Sequence, residues 1–199
     1  MAMARHKGDH EARRRDVSAA VWRVLASHGF GGLTLRAVAT EMGATTGLLT
    51  HYFPSKKDLI EHALTLLDEH RMADRPTEFP DGLAGLRAML LEILPLTEQA
   101  VTSNRIWVGS WDAALANPEL AAGHAVRYRR SRERIRTQVV AAQQLDELPP
   151  SDPDDTATAL LSFVLGLIVQ TLLDQAAFPA GQQIRLLDQR LAELARTIQ

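Results

Sequence analysis

The chain has no cysteine among its 199 residues, which excludes disulfides and thiolate chemistry and fits a reducing, cytoplasmic setting. It has no strand pattern, no internal repeat and no low-complexity tract. The N-terminus, MAMARHKGDHEARRRD, lacks the apolar h-region of a signal peptide. Catalytic fingerprints are missing too. There is no G-x-S-x-G, H-E-x-x-H, P-loop or dinucleotide motif, and the histidines (His6, His10, His28, His51, His62, His70 and His124) are scattered, so no enzyme, metal site or cofactor is expected. One apolar stretch, Ala159 to Phe178, is long enough for a membrane span. Ser162, Gln170, Asp174 and Gln175 interrupt it and Asp152, Asp154 and Asp155 precede it, so a doubly buried soluble helix is expected and no membrane partner.

What is present begins with an uneven charge. Residues 1–57 carry nine Lys/Arg against four acids, net +5, which leaves −7 on the remainder of a chain whose total is −2. A positive head on an acidic body is the pattern of a DNA-reading domain joined to a domain with another partner.

The stretch Thr34–Lys56, TLRAVATEMGATTGLLTHYFPSK, organises that head. Leu35, Val38, Ala39 and Met42 repeat at the spacing of one buried helix face behind the N-cap Thr34. Gly43 can take the positive φ that stops a helix. Thr45 caps a second short helix that ends near Phe53, because Pro54 disfavours helix at the residue before it. Helix, glycine turn, helix is the helix-turn-helix layout, whose second helix enters the DNA major groove.

Before it, residues 1–8 read as a polar, disordered arm, and Val17, Val21, Val24 and Leu25 mark a helix that Gly29 ends. After it, Ser55 and Asp58 form a capping box for a fourth helix from Lys56 toward Met72. RPTEFPDG, with Pro76 and Pro80, is the first domain boundary. The rest reads helical: a stripe from Leu83 to Leu94 ended by Pro95; a segment from Ile106 to Ala116 with Trp107 and Trp111 one turn apart; a helix started by Asn117-Pro118 and running to about Gln144; the apolar helix from Pro153 to about Ala176; and a last helix over about Gln182 to Thr197. The fold class is therefore all-α, with a head at 1–56, a connecting helix at 57–75 and a C-terminal bundle at 76–199.

Gly29, Thr34, Val38-Ala39, Gly43, Thr45, Gly47, Leu49, Tyr52-Phe53, Lys56 and Leu59 resemble the N-terminal signature of the TetR family of bacterial transcriptional regulators. THYF at 50–53 and RIWVGSWDAALANPEL at 105–120 are similar to its BetI-like subgroup. The resemblance implies three N-terminal helices for DNA, a connecting fourth helix, and a ligand-binding bundle whose last two helices form a homodimer interface. One position departs: Thr50 stands where the family usually has a tyrosine that contacts phosphate.

Carried over by position, the resemblance assigns Arg36, Thr46 and Leu48 to base reading, beside Thr34, Thr45 and Gly47 at the helix starts, and Thr50, His51, Tyr52 and Lys56 to phosphate. The dimer interface is expected at Leu160, Val164, Leu167, Ile168, Leu187, Leu191 and Leu194. For the effector, Trp107, Trp111, Asp112, Tyr128 and Phe163 are the candidates, with Asn104 and His124 as polar contributors. Rings beside a carboxylate would suit an organic cation, but tryptophans at helical spacing more often belong to a core than to a cage, and a neutral hydrophobic metabolite or drug-like compound is favoured over the cation. The second arginine cluster, Arg127 to Arg136, lacks aromatic interleaving and reads as a solvated helix face paired with acids. The expected function is a small-molecule-responsive repressor released from a palindromic operator on double-stranded DNA. The alternatives are an activator, or a helical binding or adaptor protein with a vestigial helix-turn-helix.

Overall fold

The computed structural model describes the backbone of residues 2–73 and 78–196, and side chains from 12 to 70 and 78 to 196. Ten helices and no strand occur among the described residues: α1 (Ala2–His28), α2 (Leu35–Glu41), α3 (Thr46–Tyr52), α4 (Lys56–Ala73), α5 (Gly82–Ile93), α6 (Glu98–Gly109), α7 (Trp111–Ala116), α8 (Pro118–Gln144), α9 (Pro153–Leu173) and α10 (Ala180–Ala195). The chain forms two compact units, Met1–Asp74 with Arg105–Ala116, and Arg75–Asn104 with Asn117–Gln199.

The first unit is built on α1, whose Val17, Ala20, Val21, Val24 and Leu25 are all buried. This face meets α2 and α4, and α3 adds Leu49, which has no exposed surface. Helix α1 starts at Ala2, not near Asp9, so no disordered arm is seen over residues 2–8. Polarity alone was the signal for an arm, but Ala, Met, Arg and Lys are strong helix formers even where no face is apolar. Its C-terminus turns at Gly29, φ 63°.

The joint between α2 and α3 is closed entirely by backbone. Ala44 N donates to Ala39 O at 2.9 Å and Gly43 N to Thr40 O at 3.1 Å, the paired bonds of a Schellman motif, with Gly43 at φ 61°. At the other end of α2, Thr34 Oγ1 accepts from Ala37 N at 3.0 Å. Helix α4 opens on the expected capping box: Asp58 Oδ2 accepts from Ser55 N at 2.9 Å and Ser55 Oγ accepts from Asp58 N at 3.2 Å. The Ser55 hydroxyl, donating to the Asp58 carboxylate, is the main cause holding that carboxyl below its ordinary pKa. Arg23 of α1 reaches Glu41 of α2 at 2.5 Å.

Residues 105–116 belong with this unit and not with the C-terminal bundle in which the sequence placed them. They are also not one helix. Ser110, buried, donates its hydroxyl to Trp107 O at 2.6 Å and separates α6 from α7, so Trp107 and Trp111 lie on different helices. Gly109, at the end of α6, faces Phe30 in the turn after α1, where an added Cβ would lie 3.8 Å from Phe30 Cβ.

In the second unit α5 is the central strut, packed against α8 and α10. Leu86, Met89 and Leu90 are its buried face. Arg87 grips Asp188 of α10 with two bonds, 2.6 and 3.0 Å, and this raises the pKa of its guanidinium. Asn117 and Asp152 cap α8 and α9 as the sequence requires, each accepting two backbone N–H bonds. The start of α5 is held by a distant group instead: Leu83 N donates to Glu147 Oε2 at 2.6 Å.

Helix α9 is apolar and long enough to cross a membrane by length and composition, yet it buries Ala157, Leu160, Leu161, Val164, Leu167 and Ile168 against the unit's own interior. Its other side leaves Ala159, Ser162, Gly166, Gln170 and Leu173 exposed. The helix is therefore covered on one face by its own unit, where the all-round apolar pattern had suggested cover on both.

Two outcomes are expected. Gly43→Ala forces a Cβ into a left-handed conformation with no steric neighbour, so it should cost about 1–2 kcal/mol in urea unfolding through backbone strain alone. His62, on α4, shares a 3.0 Å hydrogen bond with Ser18 of α1 and packs on the Phe53 ring at 5.1 Å. Burial, then Arg14, depresses its pKa against the opposing pull of Glu69. The unfolded chain therefore binds the proton first as pH falls below about 6.5. Wild-type stability should decline through that range, and His62→Gln should show a shallower decline in pH-dependent thermal melts.

Candidate nucleic-acid interface and effector-facing residues

The helix-turn-helix sorts its residues by exposure. Val38, Ala39, Leu49 and Phe53 face the core, while Thr34, Arg36, Thr45, Thr46, Gly47, Thr50, His51 and Lys56 are exposed. Leu48 and Tyr52 are half-buried. Every residue the sequence assigned to DNA thus lies at or partly at the surface of one unit, on α2, α3 or the first turn of α4.

Each position has a physical reason. Thr34 is occupied as a cap, so its exposed hydroxyl already serves α2. Thr45 occupies the N-cap position of α3 without a side-chain capping bond; its carbonyl accepts from Leu48 N at 3.1 Å. Its hydroxyl is consequently not committed to the helix. Gly47 has only the Thr45 hydroxyl near where a Cβ would be, at 3.9 Å, so this part of α3 presents bare backbone. Thr50 donates its one hydroxyl proton to Gly47 O at 2.9 Å. A phosphate contact as donor would require breaking that bond, which is how the missing phenol alters the surface. His51 and Tyr52 sit edge to face, centroids 5.9 Å apart. Lys56 is exposed at the start of α4, where unpaired N–H groups and its own charge favour an anion.

The effector candidates are divided between the units. Trp107, Trp111 and Asp112 belong to the first. Trp107 is 5% exposed, a core position; Trp111 is half-buried with its indole N–H enclosed and unpaired; Asp112 is exposed. Asn104, His124, Tyr128 and Phe163 belong to the second. There Asn104 and His124 are buried, Tyr128 lies 6.3 Å from the His124 ring, and Phe163 is half-buried on α9. Helix α6 supplies Asn104 to one unit and Ile106, Trp107 and Gly109 to the other.

Of the residues expected at a dimer interface, Leu160, Val164, Leu167, Ile168, Leu187 and Leu191 are buried inside the single chain, and only Leu194 is partly exposed. These six are core. Periodicity located the apolar faces but could not say which one the chain itself covers. In the arginine cluster, Arg136 pairs with Asp154 at 3.2 Å, and Arg134 lies 4.0 Å from Glu92 and over the Phe79 ring at 5.9 Å. Arg129 and Arg130 are exposed. The cluster is thus a solvated helix face partly paired with acids. Gln183, a buried α10 residue with polar contacts, was missed, because a lone glutamine in an amphipathic helix carries no sequence signal.

Two family descriptions match the chain. "Bacterial regulatory proteins, tetR family" matches residues 18–63, and "BetI-type transcriptional repressor, C-terminal" matches residues 83–196. The transcriptional regulator BetI of Burkholderia thailandensis is 26% identical over 183 residues, 90% of this chain and 91% of that protein. UidR of Escherichia coli K12 is 26% identical over 79% of this chain and 83% of its own length. PksA of Bacillus subtilis is 33% identical across half of each protein. Among solved structures, a transcriptional regulator from Saccharomonospora viridis in complex with choline aligns with a TM-score of 0.81 at 22% identity, covering 92% of this chain and 96% of that one. A regulator from Rhodococcus sp. Rha1 aligns at 0.80, with the same identity and coverage. A tetR-family match over the helix-turn-helix, followed by a BetI-type match over more than half of the chain, shows that the chain belongs to the TetR family of bacterial transcriptional regulators, not to the enzymes.

Proposed function

We propose that the chain acts as a soluble, cytoplasmic, homodimeric repressor that leaves a palindromic operator when a small molecule binds its C-terminal domain. The observation that carries this reading is the exposed set Arg36, Thr46, Gly47 and Lys56, held on a buried Leu49 and Phe53 base. A two-fold dimer sets two α3 helices into successive major grooves, with half-sites about 34–36 Å apart or a small multiple of that. Arg36 reads a guanine edge, Thr46 and Leu48 lie toward bases, and His51, Tyr52 and Lys56 hold phosphate, with Thr50 doing so only after releasing Gly47 O.

The dimer forms through the side of α9 that its own unit leaves open, Ala159, Ser162, Gly166, Gln170 and Leu173, with α10 as the second helix that each subunit brings to the family's four-helix interface. Leu173, at the C-terminal end of this side, is 83% exposed. The effector is an organic cation of the choline class. Support comes from the BetI-type match over residues 83–196 and from the choline held by the Saccharomonospora viridis neighbour. The effector must bind the DNA-free arrangement more tightly; equal affinity would shift nothing.

Binding to the DNA flanking the gene, followed by anisotropy across a salt series, tests this. Arg36→Ala should weaken operator binding by about 1–3 kcal/mol and relax preference at one base pair, while Lys56→Ala should weaken it for all sequences and lower the salt slope by about one. Choline should release the complex. Binding that ignores both substitutions overturns the assignment of this face, and a complex indifferent to choline overturns the cation.

A further inference from the structure

Helix α4 touches α1 through two histidines about two helical turns apart. Near its start, His62 shares a 3.0 Å hydrogen bond with Ser18 and packs on the Phe53 ring, centroids 5.1 Å apart. Farther along, His70 stacks on Trp22 at 3.8 Å, the ring planes 18° apart. The two contacts answer a proton differently. An indole face attracts a cation, so the stack holds His70 in either charge state. His62 is half-buried, and its surroundings disfavour a charge. Burial is the largest cause, the Arg14 guanidinium of α1 adds to it, and Glu69 of α4 pulls the other way without cancelling them. Ser18 and Phe53 bring no charge of their own.

Phe53 makes this contact matter to the reading head. Its N–H donates to Leu49 O at 2.8 Å and closes α3, while its ring, on a residue 6% exposed, lies against the imidazole. A protonated His62 gains full hydration only by swinging away, which breaks the bond to Ser18 and uncovers the ring at the end of α3. The far end of α4 stays stacked on Trp22, so the opening falls at the α3 end.

We propose that His62 is a proton-sensing site of the DNA-binding head: a proton taken up there loosens the end of α3 and weakens operator binding, and operator binding in turn expels the proton. This rests on the operator-binding reading given above. The sign follows from linkage. The closed head holds the ring below its ordinary pKa and the opened head does not, so acid below about pH 6.5 favours the opened arrangement. DNA requires the closed one, and the coupling is reciprocal. His51 acts in the opposite sense. It is exposed on α3 beside Tyr52, and a positive charge there attracts phosphate.

Anisotropy with the flanking-gene DNA that the intact protein binds, at constant ionic strength from about pH 7.5 to about pH 5.5, separates the two histidines. His51→Gln should lose about three- to tenfold in affinity across this range, and His51→Gln with His62→Gln less than about twofold, since one linked proton changes affinity by at most about tenfold per pH unit. Glutamine can still bond Ser18, and circular dichroism checks that both variants are folded. NMR titration of the His62 ring in the unsubstituted protein provides a second readout: its midpoint should fall by about half a pH unit or more when the DNA is added. Equal pH responses with and without His62, or a midpoint that stays or rises on DNA, overturn the proton site and leave the operator-binding reading intact. No sequence-specific binding at any pH overturns both.

Discussion

The reading head hangs on one backbone conformation. Gly43 at φ 61° lets the Ala44 and Gly43 N–H groups close the end of α2, and that closure aims α3. Everything exposed on α3 inherits its direction from this turn, and its buried side, Leu49 above all, anchors it in the core of the head. No side chain takes part in the closure itself. The geometry of the head is thus set by main-chain hydrogen bonding, with core packing behind it.

The second unit is organised differently, around α5 and its neighbours. Apolar packing against α8 and α10 places the helix, and polar contacts pin its two ends: Glu147 at the start, and Asn104 and Gln183 at the finish. The Arg87–Asp188 pair lies between them, nearly half exposed on both sides, so it contributes orientation more than stability.

Much of this was legible in the sequence because the relevant physics is local. Thr34, Asn117-Pro118, Asp152-Pro153 and the Ser55/Asp58 box start their helices where the structure starts them, since a cap is decided within four residues. The set from Arg36 to Lys56 came instead from the family resemblance, carried over position by position, and the structure places these residues at or partly at the surface of the head. What could not be read was non-local. The break at Ser110 carries no local signal, since a serine hydroxyl bonding back to a carbonyl three residues earlier is equally at home inside a continuous helix. The grouping of 105–116 with the head depends on which surface the segment meets. Helix α9 is apolar around its whole middle, so its sequence does not say which side turns inward, and the leucines expected to meet a partner are core instead.

The uncommitted threonines at the start of α3 leave that surface open to change. Because Gly43 and the backbone close the turn, and because Thr45 makes no side-chain capping bond, positions 45 to 47 carry little of the fold's stability. Substitutions there can change what the exposed face of α3 presents without disturbing the turn that aims it.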